Sequence, residues 1–229
     1  MVMKVLSVAE KPSVARELAK ILSNGTASSR RGEAQYNMLY EFSCSLDDRP
    51  CQMVVTSVIG HLFEQDFEES HRKWGSCSPL ELFDARITSY VPDDKKDIAR
   101  NLELAVRGCE QLLLWLDCDR EGEAIGFEVI DVCTHVNRRL RVRRARFSAL
   151  IPRDIHAAMA NLRDPDKRQA DAVRARSELD LRLGAAFTRL QTTTLQHQFE
   201  GLDGLVSYGA CQFPTLWFVV QVNDRDISP

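Results

Sequence analysis

The sequence predicts an α/β protein: a mainly parallel β-sheet flanked by helices, followed by a mostly α-helical segment. Three observations carry this expectation. Short apolar runs such as KVLSVA and LLLWL alternate with stretches of helical periodicity through the first two thirds of the chain. At least one connection between strands is long enough for a crossover, which favours parallel pairing. From residue 152 onward the texture becomes helical.

Each element has a local reason. Residues 4–9 read as a short buried strand. Pro12 suits a first helical turn, where no amide partner is lost, and SVARELAKIL then spaces Val14, Leu18, Ile21 and Leu22 along one helical face. Asn24-Gly25 supplies the stop. Residues 36–43 and 51–58 are expected as paired strands joined by DDRP. A helix is expected over 93–107, a central strand at LLLWL, a helix over 123–136 and an alternating strand over 140–147. IPRDIHAAMANL and the run from Pro165 to about His197 are helical, and no internal repeat is visible. This pattern divides the chain into domains 1–151 and 152–229.

Composition narrows the function classes. A chain of 229 residues can bury a real core. No apolar run approaches the roughly 20 residues that span a bilayer, so no membrane role is expected. The opening MVMKVLSVAEK turns acidic too soon for a signal peptide. Seven cysteines without a CxxC argue for reduced thiols in an intracellular compartment and against a cysteine zinc site. The net charge of −3 hides an asymmetry. Residues 1–137 carry 15 Lys+Arg against 23 Asp+Glu, whereas residues 138–229 carry 15 against 10, with 14 of those cations arginine. An acidic metal-binding part joined to a polyanion-binding part fits this division, and so does uneven surface decoration.

The chemistry concentrates in LLLWLDCDREGE, where Asp117, Asp119, Glu121 and Glu123 crowd behind the most apolar run. In an open parallel sheet, ligands bind at the carboxyl ends of strands. If the chain stays extended, Asp117 and Asp119 point to one side, and oxygen donors without nearby His or Cys suit Mg²⁺. The alternative is a helix start, with Asp119 as N-cap and the glutamates favouring the helix dipole. Glu10 ends the first strand, where a carboxylate could move a proton, and Lys11 stands beside it at a helix start that favours an anion.

VAEKPSVA, TSVIGHL, LDCDREGEAIGFEVI, RARFSALI, ELDLRLGAAFTRLQT and SYGACQFPTL, in this order, resemble type IA DNA topoisomerases, and most closely their eukaryotic topoisomerase III branch. The resemblance runs from about residue 4 to 220. It implies a Toprim (Rossmann-like) domain, with Glu10 as general acid/base, Lys11 stabilising the phosphoryl transition state, and Asp117, Asp119 and Glu121 as the acidic triad associated with Mg²⁺. His61 falls in a glycine–histidine step, where a turn role and a direct role are equally open, and Arg120 is a further candidate inside the acidic motif. The long helix and the SYGACQFPTL block match the start of a single-strand-binding segment. On that helix Leu179, Leu183, Phe187 and Leu190 share an apolar face, Arg182 and Arg189 flank it, and Arg176 pairs with Asp180 nearby. These arginines and Gln212 are the candidate DNA contacts.

The family's nucleophilic tyrosine lies in a downstream segment, and none of Tyr36, Tyr40, Tyr90 and Tyr208 occupies its motif. The chain is therefore expected to be truncated and unable to cleave alone. The resemblance further implies relaxation of negatively supercoiled DNA, roles in recombination and repair, and a nuclear location. Implied partners are single-stranded DNA, with RNA as a second polymer, a RecQ-type helicase and an OB-fold accessory protein. A Toprim nuclease or primase-like protein and a non-catalytic nucleic-acid-binding remnant are the alternative readings.

Overall fold

The computed structural model describes the backbone of residues 2–227 and the side chains through Asn223. In chain order the elements are β1 (Met3–Ala9), α1 (Pro12–Leu22), β2 (Ser28–Arg30), β3 (Leu39–Leu46), β4 (Arg49–Ser57), β5 (Glu64–Phe67) and α2 (Glu69–Arg72). They continue with β6 (Ile87–Tyr90), α3 (Lys96–Ala105), β7 (Gln111–Trp115), α4 (Arg120–Val136), β8 (Arg141–Arg144), α5 (Pro152–Ala160), α6 (Lys167–Gln198) and α7 (Gln212–Ile227). Short 3-10 turns cover Pro79–Phe83 and Asp93–Lys95.

The main sheet has the order β2-β3-β4-β1-β7-β8. Strands β4, β1, β7 and β8 run parallel, and β3 and β2 add antiparallel strands beyond β4. Alternation along the strands explains how both faces are covered. Leu6, Val8, Val54, Leu112 and Leu114 pack on one face with Leu102 of α3 and Val129 of α4. Val5, Ala9, Met53, Val55, Leu113 and Trp115 pack on the other with Leu18 of α1 and Ile155 of α5. From β1 the chain builds β2, β3 and β4 on one side and then β7 and β8 on the other, so the order reverses at the β1/β7 junction. That reversal opens a crevice at the carboxyl edge of the sheet.

Several expected boundaries shift for local reasons. The DDRP connector contracts to Asp47 and Asp48, whose φ angles of 50° and 58° make a two-residue hairpin loop, and Arg49 and Pro50 join β4. The paired strand expected from residue 36 begins at Leu39. The helix expected from 123 begins at Arg120 because Asp119 caps it.

The chain forms two compact units, Met1–Glu64 with Tyr90–Arg174, and Gln65–Ser89 with the residues from Ala175 onward. The boundary expected at 151/152 therefore falls inside the first unit. In the second unit, Phe67, Leu82, Ala85 and Ala186 form a small core with Leu181 and Ala185 packed against it. This corrects the expected apolar face of α6. Leu179 is 57% exposed and Leu190 44%, while the face of Leu181, Ala185, Ala186 and Arg189 turns inward. Alanines and a carbonyl-bonded arginine permit closer packing there than a leucine stripe does.

Leu113→Ala is expected to cost about 2–5 kcal/mol of stability, as for a fully buried leucine. Leu179→Ala is expected to stay within about 0.5 kcal/mol, as for an exposed position. Urea denaturation of the two variants checks both the sheet core and the reassigned helix face.

Candidate active site at the carboxyl edge of the sheet

Parallel register sets the site. Ala9 of β1 pairs with Trp115 of β7, so the next residues of both strands emerge together. Glu10 is nearly buried, and its Oε2 accepts a hydrogen bond from the Asp117 amide at 3.1 Å. Lys11 Nζ lies 3.3 Å from Glu10 Oε1 and 3.5 Å from Asp117 Oδ2. The hydrogen bond to Glu10, and then the charges of Glu10 and Asp117, raise the Lys11 pKa above its ordinary value. The ammonium thus stays charged between two carboxylates.

The other acids separate to different partners. Asp119, with extended backbone, accepts from the Gly122 amide at 2.8 Å and caps α4. Glu121 Oε2 lies 3.2 Å from His61 Nε2, and His61 Nδ1 lies 2.8 Å from Glu128 Oε1. Glu128 Oε2 also receives the Leu62 amide at 2.7 Å, fixing the loop after β4. The Glu128 hydrogen bond, against the opposing effect of burial, pushes the His61 pKa up to about 9. At neutral pH the imidazolium therefore donates to both glutamates. Gly60 precedes it at φ 67°, a conformation that favours glycine.

Among the described residues, no three His, Cys, Asp or Glu side chains are gathered to hold a metal ion. The expected triad shares one rim, but Asp119 is occupied by its cap and Glu121 by His61. Its donor chemistry still fits a hard cation: Asp117, Asp119 and Glu121 are exposed, and all three offer only oxygen. Arg120 is exposed in the first turn of α4.

Two residues beyond the expected set position this rim. Arg144 is fully buried and sends Nε to Glu123 Oε1 at 3.2 Å, Nη1 to the Ala145 carbonyl at 2.9 Å and Nη2 to the Asp117 carbonyl at 2.6 Å. Glu123 is equally buried, and its Oε2 takes the Asp166 amide at 3.1 Å. The sequence carried a signal for Arg144. In LRVRRARF it shares strand parity with Leu140 and Val142, an inward register that a lone cation enters only with a partner.

The helix arginines do not behave as expected. Arg182 Nη1 bonds the Leu82 and Ala85 carbonyls, each at 2.8 Å, and its Nη2 pairs with Glu178 at 2.7 Å. Arg189, 7% exposed, bonds the His71 and Arg72 carbonyls at 2.8 and 2.9 Å. Both guanidiniums hold the second unit's own loop, which leaves them fewer N–H groups for a phosphate. Arg176 is exposed, 3.6 Å from Asp180. Gln212 is exposed at the start of α7.

Gly122 explains the glycine in REGE. A Cβ there would stand 2.0 Å from the Asp117 carbonyl oxygen. Gly→Ala inside a helix ordinarily stabilises by about 0.5–1 kcal/mol. Here Gly122→Ala is expected to destabilise by about 1–3 kcal/mol, the usual range for overpacking, with the sign read from thermal unfolding. Arg144→Met is expected to cost about 3–5 kcal/mol by leaving Glu123 charged and buried, and the double variant Arg144→Met/Glu123→Leu to recover most of it.

The Toprim domain family matches residues 5–150, and the family described as DNA topoisomerase matches residues 164–227. Toprim domains are generally metal-binding. DNA topoisomerase 3-alpha of Arabidopsis thaliana is 54% identical over 95% of this chain and 24% of its own length. The Homo sapiens DNA topoisomerase 3-alpha is 51% identical over 96% of this chain and 22% of its own length. The solved structure of full-length topoisomerase I from Thermotoga maritima aligns with a TM-score of 0.53 and 25% identity, over 88% of this chain and 27% of that one. The chain thus spans about a quarter of the length of the relatives it matches. It belongs to the Toprim-domain family.

Proposed function

We propose that this chain supplies the acid–base and cation-holding part of a type IA DNA topoisomerase, an enzyme that breaks and rejoins one DNA strand to relax negatively supercoiled DNA. The observation that supports this reading best is the meeting of Glu10, Lys11 and Asp117 at the ends of adjacent parallel strands. Strand breakage needs a proton moved at the scissile phosphodiester and negative charge stabilised on its oxygens. Glu10 anchors Oε2 on the Asp117 amide and keeps Oε1 beside Lys11 for proton exchange. Lys11 would face a non-bridging phosphate oxygen. Asp117, Asp119 and Glu121 would hold Mg²⁺, which supplies neutralising charge for the phosphate. Because His61 holds Glu121, it would act as a positioning residue.

The attacking tyrosine would come from residues outside this chain. Exposed Arg120, Arg176 and Gln212 remain candidate contacts for single-stranded DNA, with RNA as a second polymer. A nuclear location, a RecQ-type helicase and an OB-fold accessory protein complete the reading by family resemblance, as do roles in recombination and repair.

Calorimetric titration should detect Mg²⁺ binding that Asp117→Asn/Asp119→Asn abolishes or weakens markedly while the far-UV circular dichroism stays unchanged. Equal binding by the double variant would remove the metal assignment. Incubated alone with single-stranded DNA and Mg²⁺, the chain should form no detergent-resistant 5′ adduct. Such an adduct would show that the chain carries its own nucleophile.

A further inference from the structure

We infer that Arg146 and Arg163, with Ser148 and Asn161, form a subsite for one phosphodiester of a single DNA strand, beside Asp117 at the carboxyl edge of the sheet. This rests on the reading above and adds to it a binding place for the strand next to the reacting bond.

Two cavities of about 470 Å³ each adjoin here. Arg146, Phe147 and Ser148 line both. The first extends to Asn161, Arg163 and Asp154, and the second reaches Asp117 and Cys118. Their size lies in the range of ligand-binding clefts, roughly 300–1,000 Å³. A continuous path thus leads from the carboxylate rim to two guanidiniums.

Both arginines have a loosely held head, and the backbone of Arg163 is anchored. Arg163 exchanges two backbone hydrogen bonds with Arg144, at 2.6 and 2.9 Å, which ties it to the end of β8. Its guanidinium has no hydrogen-bonding or ionic partner among the described residues. Arg146 is 43% exposed at its side chain and reaches only Glu123 Oε1, at 3.7 Å, an oxygen already engaged by Arg144. The contrast with Arg182 and Arg189, whose guanidiniums are occupied by carbonyl oxygens, is direct. Guanidiniums with open N–H groups suit a phosphate, which accepts paired donors. The Phe147 ring is fixed against Trp115 at 5.9 Å between centroids. Asp154, paired with Arg153 at 3.0 Å, and Asn161 give the first cavity hydrogen-bonding groups of both kinds for the adjoining nucleotide.

The test measures fluorescence anisotropy of a short fluorescein-labelled single-stranded oligodeoxythymidine against salt, with this chain. Neutralising one cation that faces a phosphate of a single strand lowers the slope of log K against log salt by about 0.7, so Arg146→Gln/Arg163→Gln should lower it by about 1.4. Binding at low salt should weaken roughly tenfold or more. Arg163→Glu, which leaves the Arg146–Glu123 pair intact, should act in the same direction. Arg138→Gln/Arg139→Gln removes the same charge from exposed residues at the opposite edge of the sheet and should leave the slope unchanged. Equal weakening in both double variants would overturn the subsite by assigning the effect to overall charge. An unchanged Arg146/Arg163 variant alongside a weakened Lys11→Gln would overturn the subsite and leave the proposed function standing. Failure of the unaltered chain to bind the oligonucleotide would overturn both.

Discussion

The backbone of Asp117 is claimed from three directions, and the rest of the site depends on that. Its amide donates to Glu10, its carbonyl accepts from Arg144, and Gly122 packs so closely on that carbonyl that no side chain fits between. The two peptide units that flank the Asp117 Cα are thereby fixed while its carboxylate remains exposed. Much of the cost lies in Arg144 and Glu123, since desolvating two charges is offset only when nearly every polar atom finds a partner. Here the guanidinium reaches three carbonyls and one carboxylate, and both carboxylate oxygens are engaged. A buried pair of this kind contributes placement more than stability.

The crowding of four acids within seven residues is resolved by dispersing them. Asp117 turns to Lys11, Asp119 to the amide of Gly122, Glu121 to His61, and Glu123 inward to Arg144. Each of these four carboxylates thus has a partner supplied by the chain. In the proposed reading a cation competes with Lys11, the helix cap and His61 for these oxygens. Such competition suits a weakly held, exchangeable ion, in contrast to structural metals whose binding energy is the folding energy.

The parallel sheet was legible because its signals are local. Apolar runs, Pro12, Asn24-Gly25 and the capping residue Asp119 each act within a few positions, and strands, helices and Glu10 beside Asp117 followed. Residues 65–89 were not legible. Their strands have four residues each, and their small core depends on α6 residues a hundred positions away. The α6 face misled for a related reason. Leucine spacing identifies a stripe that could be buried, but the carbonyls of residues 71, 72, 82 and 85 recruited the arginine face instead. Glu123 resembled a helix-dipole acid from its neighbours alone, because its partner Arg144 lies 21 residues on.

Charge counting illustrates the same limit in the arginine-rich half. A surplus of guanidiniums after residue 137 invites the reading of a polyanion surface, yet three of them have other roles. Arg144 fixes a peptide carbonyl in the first unit, and Arg182 and Arg189 tie down a loop in the second. A guanidinium already surrounded by carbonyls has few N–H groups left for phosphate, and exchanging them would orphan the carbonyls at about 1–3 kcal/mol each. The cations that can meet a strand are those whose heads have little else to hold, whatever the net charge of their segment. That criterion moves attention from the long helix to the end of β8, where the arginines stand next to the carboxylates whose chemistry a strand would need.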